Sequence, residues 1–208
     1  MCSLANYAAA HPALDAMIAQ EKNVLANWHY RVTETNGKTI TVSTHNPEAP
    51  KDQAWSLESI EGRAPTAQEL EKFRKRKADA TPEQPIQTML DEKTLVALEP
   101  AGNARRWSFR FKPSAEMDGV DPDKFIGTVS VGADGQVEQL EMKTRESFRM
   151  KLIMKINSVV SRTEFSKVAN GALLPTLDVA TFDASMAGHA INMTTTKRYE
   201  YIKPKAGS

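Results

Sequence analysis

The clearest pattern in the chain is an alternation of apolar and polar positions through its second half. From Arg106 to Phe111, three aromatic residues alternate with polar ones. Residues 147–156 alternate in the same way, with Ile153 as the exception. Because successive side chains of a strand point to opposite faces of a sheet, this period of two predicts strands with one apolar and one polar face. Further strands are predicted at residues 94–99, 125–131, 136–144, 159–168, 173–182 and 191–202.

Short turns connect several of these predicted strands into hairpins. Asn36-Gly37 divides the apolar positions of residues 28–45, and Asp134-Gly135 divides two later strands. Both dipeptides favour the positive φ angles of a tight hairpin turn. Residues 54–61 form another predicted strand, which Gly62 ends. The sequence therefore predicts that most of the strands form consecutive hairpins.

Helical patterns are confined to the first half of the chain. Apolar side chains recur at helical spacing in residues 12–27, which predicts an amphipathic helix. Thr66 and Glu69 have the spacing of a capping box, and this predicts a charged helix from Thr66 to about Asp79. Residues 86–90 fit a further helical turn. Strands and helices together predict an α+β fold, in which a large curved antiparallel β-sheet forms a half-open barrel with a few helices covering one face.

The composition is that of one globular domain. The chain has 208 residues, of which 40% are hydrophobic, and a net charge of +1. We predict a single domain over residues 1–206 and interpret Gly207 and Ser208 as a remnant of cloning. A charge so close to zero argues against nucleic acid as a partner of the whole fold.

The one concentrated charge lies on the predicted charged helix. It is either a patch for lipid headgroups or the solvated face of the helix, since Glu69 and Glu71 lie at pairing distance from it. Stacking aromatic residues are not interleaved with it, which disfavours nucleic acid. The basic run consists of Arg74, Lys75, Arg76 and Lys77.

No pattern of residues predicts catalysis or a cofactor. The histidines are not spaced as metal ligands, and the chain has no nucleophile elbow and no phosphate-binding glycine loop. We therefore predict a protein without enzymatic activity, metal or cofactor. An enzyme with an unrecognised site in a β cavity remains the alternative, and His29 or His189 beside a buried carboxylate would favour it.

The lone cysteine, Cys2, permits two interpretations. It is either a free thiol close to the start of the chain or the first mature residue of a lipoprotein, where it would carry a lipid and tether the protein to a membrane. The second interpretation takes the chain to be an exported protein written without its signal peptide.

The methionines suggest an apolar binding surface. Most of the 9 methionines lie in the β-rich half of the chain. Methionine is flexible and polarisable, so it suits surfaces that adapt to an apolar ligand, although ordinary core packing explains any single one.

The order of the segments resembles the periplasmic lipoprotein carriers of the LolA/LolB type. An amphipathic helix and a hairpin precede Trp55-Ser-Leu57, which leads through Gly62-Arg-Ala-Pro65-Thr66 into the charged helix. A long meander follows, with residues 125–144 and 148–156 as its clearest parts. The resemblance covers most of the chain and implies an incomplete β-barrel over an apolar cavity.

We expect a periplasmic or outer-membrane-associated protein that binds a lipid, an acyl chain or another apolar ligand. The alternative is an assembly protein of the envelope that takes a partner peptide in a groove or along an edge strand. The predicted ligand-lining residues are Trp107, Phe109, Phe148, Met150, Leu152 and Met154.

Overall fold

The computed structural model describes residues 24–79, 89–115, 117, 119–150, 154–168 and 171–205. Most of the helix predicted at residues 12–27 lies outside these ranges, as do Cys2 and Leu152. The part of that helix that is described, Val24–Asn27, is a short 3-10 turn that leads directly into the first strand.

The described residues form one antiparallel sheet of eleven strands and one α-helix. The order across the sheet is β3-β2-β1-β11-β10-β9-β7-β6-β5-β4, and β8 pairs with β9 beside this path. The strands are β1 (Trp28–Asn36), β2 (Thr39–His45), β3 (Trp55–Ile60), β4 (Leu90–Ala101), β5 (Ala104–Phe111), β6 (Phe125–Val131), β7 (Val137–Thr144), β8 (Phe148–Met150), β9 (Met154–Lys167), β10 (Leu173–Met186) and β11 (His189–Pro204), and the helix is α1 (Ala67–Asp79).

The first and last strands meet in the interior of the sheet, where β1 pairs with β11. The sheet does not close, because β3 and β4 occupy its two ends and are not paired with each other. The prediction of a mostly antiparallel β protein is therefore confirmed. Among the described residues, one α-helix accompanies the sheet, whereas several were expected.

The prediction of one strand over residues 147–156 is wrong. Strands β8 and β9 run antiparallel, with Met150 opposite Met154 and Phe148 opposite Ile156, so the chain reverses direction between them. Both residues of each of these pairs are even-numbered, so the even-numbered side chains of β8 and β9 point to the same face of the sheet. The alternation of apolar and polar residues is therefore the same for a straight strand and for this hairpin, and a pattern of period two cannot distinguish them.

The predicted turns and the predicted helix cap are confirmed. Gly37 and Gly135 have φ angles of 59° and 78°, in the left-handed region that these turns require. At the start of α1, the Thr66 amide donates to Glu69 Oε2 at 2.8 Å, and the Glu69 amide donates to Thr66 Oγ1 at 3.3 Å. These two bonds are the reciprocal pair of a capping box.

The core consists of two clusters that meet on β10, where the adjacent residues Leu173 and Leu174 belong to different clusters. The larger cluster lies on strands β4 to β7 and contains Phe109, Val129 and Leu140, each of which is at most 1% exposed. The smaller cluster is aromatic and lies where β1 meets β11.

Helix α1 packs against the β3 end of the sheet. Phe73 is its one buried residue, and the Lys77 ammonium lies 3.7 Å from the centroid of the Trp55 ring. An ammonium over the face of an indole is attracted by the ring quadrupole, so this contact helps to hold the helix on β3. Among the described residues, no helix has the length and apolar character needed to cross a bilayer.

Candidate functional site

The pairing of the strands places the buried core and an exposed apolar surface on the same face of the sheet. Residues directly opposite each other on neighbouring strands point to the same face. One such row passes from Leu140 through Thr163 on β9 and Asp178 on β10 to Lys197 on β11 and Glu34 on β1. Leu140 belongs to the larger cluster, so the whole row lies on what we call the core face.

The core face carries three chemically distinct zones, and β11 crosses all of them. Every second residue of β11 points to this face. The series begins with His189, which is opposite Met186. From residue 191 onward it is first apolar, then polar and finally aromatic: Ile191, Met193, Thr195, Lys197, Tyr199 and Tyr201.

The first zone, the methionine patch, combines side chains from four adjacent strands. Met150 on β8 is opposite Met154 on β9, which is opposite Met186 on β10, and Phe182 is opposite Met193 on β11. Met186 and Met193 are 42% and 45% exposed, although they share a face with the core. Exposed apolar side chains that adjoin one another in this way mark a surface suited to an apolar partner. The methionine patch consists of Met150, Met154, Phe182, Met186, Ile191 and Met193.

The second zone, the charged row, lies between the other two and consists of Glu34, Lys197 and Asp178. Lys197 is opposite Asp178 on one side and Glu34 on the other, and all three are half-buried. Asp178 accepts a hydrogen bond from the Tyr199 hydroxyl at 2.5 Å. Within the described residues, the side chains of Lys197 and Glu34 have no hydrogen-bond or ion-pair partner.

The third zone, the aromatic cluster, shares most of its residues with the smaller core cluster. The Tyr30 ring lies 5.0 to 6.0 Å from the rings of four neighbours, and the Tyr201 hydroxyl donates to the Pro175 carbonyl at 2.6 Å. Burial raises the pKa of each of the three tyrosine hydroxyls well above its usual range, so they remain protonated. The hydroxyls of Tyr199 and Tyr201 donate hydrogen bonds. The aromatic cluster consists of Trp28, Tyr30, His45, Trp55, Tyr199 and Tyr201.

Among the titratable side chains of the aromatic cluster, His45 has the lowest ordinary pKa. Its ring stacks obliquely on Tyr30 and Trp55, and its Nδ1 lies 2.9 Å from the Trp28 carbonyl oxygen. Burial lowers the pKa of His45, and electrostatic repulsion by His29 and Lys77 adds to this effect, whereas the hydrogen bond to the Trp28 carbonyl opposes it. The neutral imidazole is therefore the form that the folded protein favours.

The structure separates the six predicted ligand-lining residues. Phe148, Met150 and Met154 lie together at the β8–β9 hairpin, and two of them belong to the methionine patch. Trp107 and Phe109 are 3% and 1% exposed, so they contribute packing to the larger core cluster and present almost no surface to a ligand. The last one, Leu152, lies outside the described residues.

The side chains of the basic run differ in their exposure. Arg74, Lys75 and Arg76 are exposed, whereas Lys77 is half-buried over the Trp55 ring. The expected pairing of Glu69 with the run is replaced by another contact, because Glu69 binds the Arg63 guanidinium through both oxygens at 2.6 and 2.9 Å. This contact, together with the Thr66 bonds, lowers the pKa of Glu69 to about 2.

A separate depression of about 550 Å³ has a polar lining. It lies at the end of the sheet where β4 turns into β5. Its lining mixes one cation with two carboxylates and small hydroxyl groups, so no single ligand charge is favoured. The polar residues that line it include Arg106, Ser130, Glu138, Gln139, Glu164 and Thr176.

The geometry that would favour an enzyme is absent from the described part of the chain. There, His29 and His189 form no hydrogen bond or ion pair with a carboxylate, and no cluster of His, Cys, Asp and Glu could hold a metal ion. Comparison with protein-family models, with curated proteins and with solved structures finds no match to this chain.

Sequence reasoning identified part of the methionine patch and missed the charged row. Tyr199 and Tyr201 could have been singled out, because they alternate within a predicted strand. Asp178 and Lys197 lie on the consecutive strands β10 and β11, whereas Glu34 lies on β1, which is distant in sequence. Only the register of these strands brings the three residues side by side.

Proposed function

We propose that this protein is a non-enzymatic cell-envelope protein that binds a lipid, an acyl chain or another apolar ligand on the core face of its sheet. The observation that carries the proposal is the methionine patch. Its exposed side chains extend the apolar surface of the core face across β8 to β11. Contact between such apolar surface and water is unfavourable, so covering the patch with an apolar ligand would stabilise it.

Binding would work by removing apolar surface from water. Each square ångström of apolar surface that the ligand and the patch bury together contributes roughly 25 cal/mol before the costs of association are subtracted. The flexible methionine side chains would adapt to chains of different length and saturation. No residue needs to act as an acid, a base or a nucleophile in this role.

The unclosed sheet supports a half-open barrel as the finer description of the fold. In this proposal the sheet curves around its core face, and helical segments cover one side. The order of elements resembles that of the LolA/LolB-type carriers, which favours a periplasmic or outer-membrane-associated location. Lipidation of Cys2 would then provide the membrane tether.

Two matched substitutions test the proposal. Met193 and Ile40 are each 45% exposed, but Met193 lies on the core face and Ile40 on the opposite face. We expect Met193→Glu to weaken binding of the uncharged fluorophore N-phenyl-1-naphthylamine at least about tenfold, because the new carboxylate would lose water on contact with the probe. Ile40→Glu should leave the affinity unchanged. Equal affinities for both variants, in folded protein, would contradict the proposal.

A second candidate function rests on the β4 end of the sheet. Strand β4 is an edge strand, and its Val96 and Leu98 are 60% and 38% exposed. Such an edge can pair with an extended peptide of a partner protein through its free backbone groups. Val96→Lys would weaken that interaction and leave probe binding intact, so the two candidate functions can be separated.

A further inference from the structure

The charged row divides the core face into two apolar regions. At roughly 3.3 Å per residue along β11, Lys197 lies about 13 Å from Met193, within reach of a ligand that also covers the methionine patch. On its other side, Lys197 is two residues from Tyr199 of the aromatic cluster. A ligand that extends along this face from the patch would meet the row with one of its ends.

The charges of the row have a fixed order. Lys197 is flanked by carboxylates on both neighbouring strands, with a separation of roughly 5 Å between the Cβ atoms of opposite residues. Half-burial of a charge is unfavourable unless a partner of opposite sign is near. Within the described part of the chain Lys197 nevertheless has no ion-pair partner, whereas Asp178 has the Tyr199 hydroxyl.

This order discriminates among headgroups. A purely anionic group would approach Lys197 but would also be repelled by Glu34 and Asp178. A purely cationic group would reach the two carboxylates but would be repelled by Lys197. A group that carries both signs within a few ångströms can place its anion on Lys197 and its cation beside one of the two carboxylates, so both charges of the ligand gain a partner of opposite sign.

We propose that the charged row binds the headgroup of a zwitterionic amphiphile, with the anionic group on Lys197 and the ammonium group beside Glu34 or Asp178. The proposal rests on the proposed function, because the methionine patch would hold the apolar tail of the same molecule. It specifies the ligand class as lipids that carry both a phosphate and an ammonium group, and it separates them from fatty acids and neutral lipids.

The test uses four probes with the same dodecyl tail, each below its critical micelle concentration. Dodecylphosphocholine is zwitterionic, dodecyl phosphate is anionic, dodecyltrimethylammonium is cationic and dodecyl maltoside is neutral. Isothermal titration of the full chain should show that the zwitterionic probe binds at least about tenfold more tightly than the neutral one. In the Lys197→Met variant this preference should disappear while binding of the neutral probe persists.

The control is Lys143→Met, since Lys143 is exposed on the opposite face of β7 and its removal should change no affinity. Equal binding of all four probes by the wild type would overturn the headgroup proposal and leave apolar binding in place. Tightest binding of the anionic probe would overturn the headgroup proposal in the same way. So would equal probe affinities of the Lys197→Met and Lys143→Met variants. Failure of all four probes to bind would overturn both the headgroup proposal and the proposed function.

Discussion

Gly127 on β6 provides a direct test of how closely the larger core is packed. It is opposite Phe109 on β5, and the Phe109 ring lies over the glycine. A Cβ atom at Gly127 would fall 2.6 Å from Phe109 Cε1 and closer still to two other ring atoms. Since Phe109 is 1% exposed, its ring has no open space into which it could move.

The expected cost of Gly127→Ala follows from two opposing effects. Forcing an extra methyl group into a packed core costs about 1–3 kcal/mol. Replacing glycine by alanine within a strand returns about 0.5–1 kcal/mol, because alanine loses less conformational freedom on folding. The net loss in the free energy of unfolding should therefore be about 1 kcal/mol at the middle of these ranges and at most about 2.5 kcal/mol. A loss of about 1 kcal/mol lowers Tm by roughly 2–4 °C for a domain of this size.

Urea unfolding followed by far-ultraviolet circular dichroism measures this loss. Gly132→Ala is the matched control, because its new Cβ would meet the carboxylate of exposed Glu138, which is free to swing away. We expect Gly132→Ala to be neutral or slightly stabilising. Adding Phe109→Leu should cost less in the Gly127→Ala protein than in the wild type. Equal midpoints for Gly127→Ala and Gly132→Ala would refute the packing argument.

Two further predictions concern pH. The carbon resonance of the Glu69 carboxyl should titrate with a midpoint near 2, and Arg63→Gln should move the midpoint towards the ordinary value; an unchanged midpoint in the variant would contradict the assigned contact. The associated stabilisation should be complete above the ordinary glutamate pKa and be lost as the pH falls towards 2. For His45, the lowered pKa means that the unfolded chain binds the proton more readily, so stability should decrease as the pH falls below about 6.5. Urea unfolding of His45→Gln should show a smaller pH dependence of the free energy of unfolding. His189→Gln, which changes an exposed residue, is the control. An equally reduced pH dependence in that variant would argue against His45 as the source.

Where burial leaves an alternation in the sequence, the fold could be predicted. Trp107, Phe109 and Phe111 are buried as their spacing indicates, and the Asn36-Gly37 and Asp134-Gly135 turns lie where they were expected. These features depend on neighbours that are close in sequence, so a local pattern is enough to reveal them.

Strand β4 shows one limit of such patterns. It extends over Leu90–Ala101, whereas residues 94–99 were predicted. Its pairing with β5 is interrupted between Asp91 and Val96, where the Thr94 hydroxyl accepts a hydrogen bond from the Arg110 amide at 2.7 Å. A side chain that replaces a backbone acceptor disrupts the alternation, so the first part of the strand has no recognisable pattern.

The candidate site could be predicted only in part, because it is defined by the register between neighbouring strands of the sheet. The apolar character of Met150 and Met154 is visible in the sequence. Their meeting with Met186, and the position of Lys197 between two carboxylates, follow from hydrogen-bonded pairings that no local pattern encodes. Alternation places Trp107 and Phe109 on the apolar face of the sheet, but it does not reveal whether a ligand or other core residues cover them.

Native mass spectrometry of the protein purified from cells, beside a denatured sample, tests the central claim most directly. If the protein binds phospholipid on the core face, we expect a population that carries the added mass of a phospholipid and loses it on denaturation. A mass equal to that of the polypeptide alone, unchanged after incubation with phospholipids and fatty acids, would contradict apolar ligand binding on the core face.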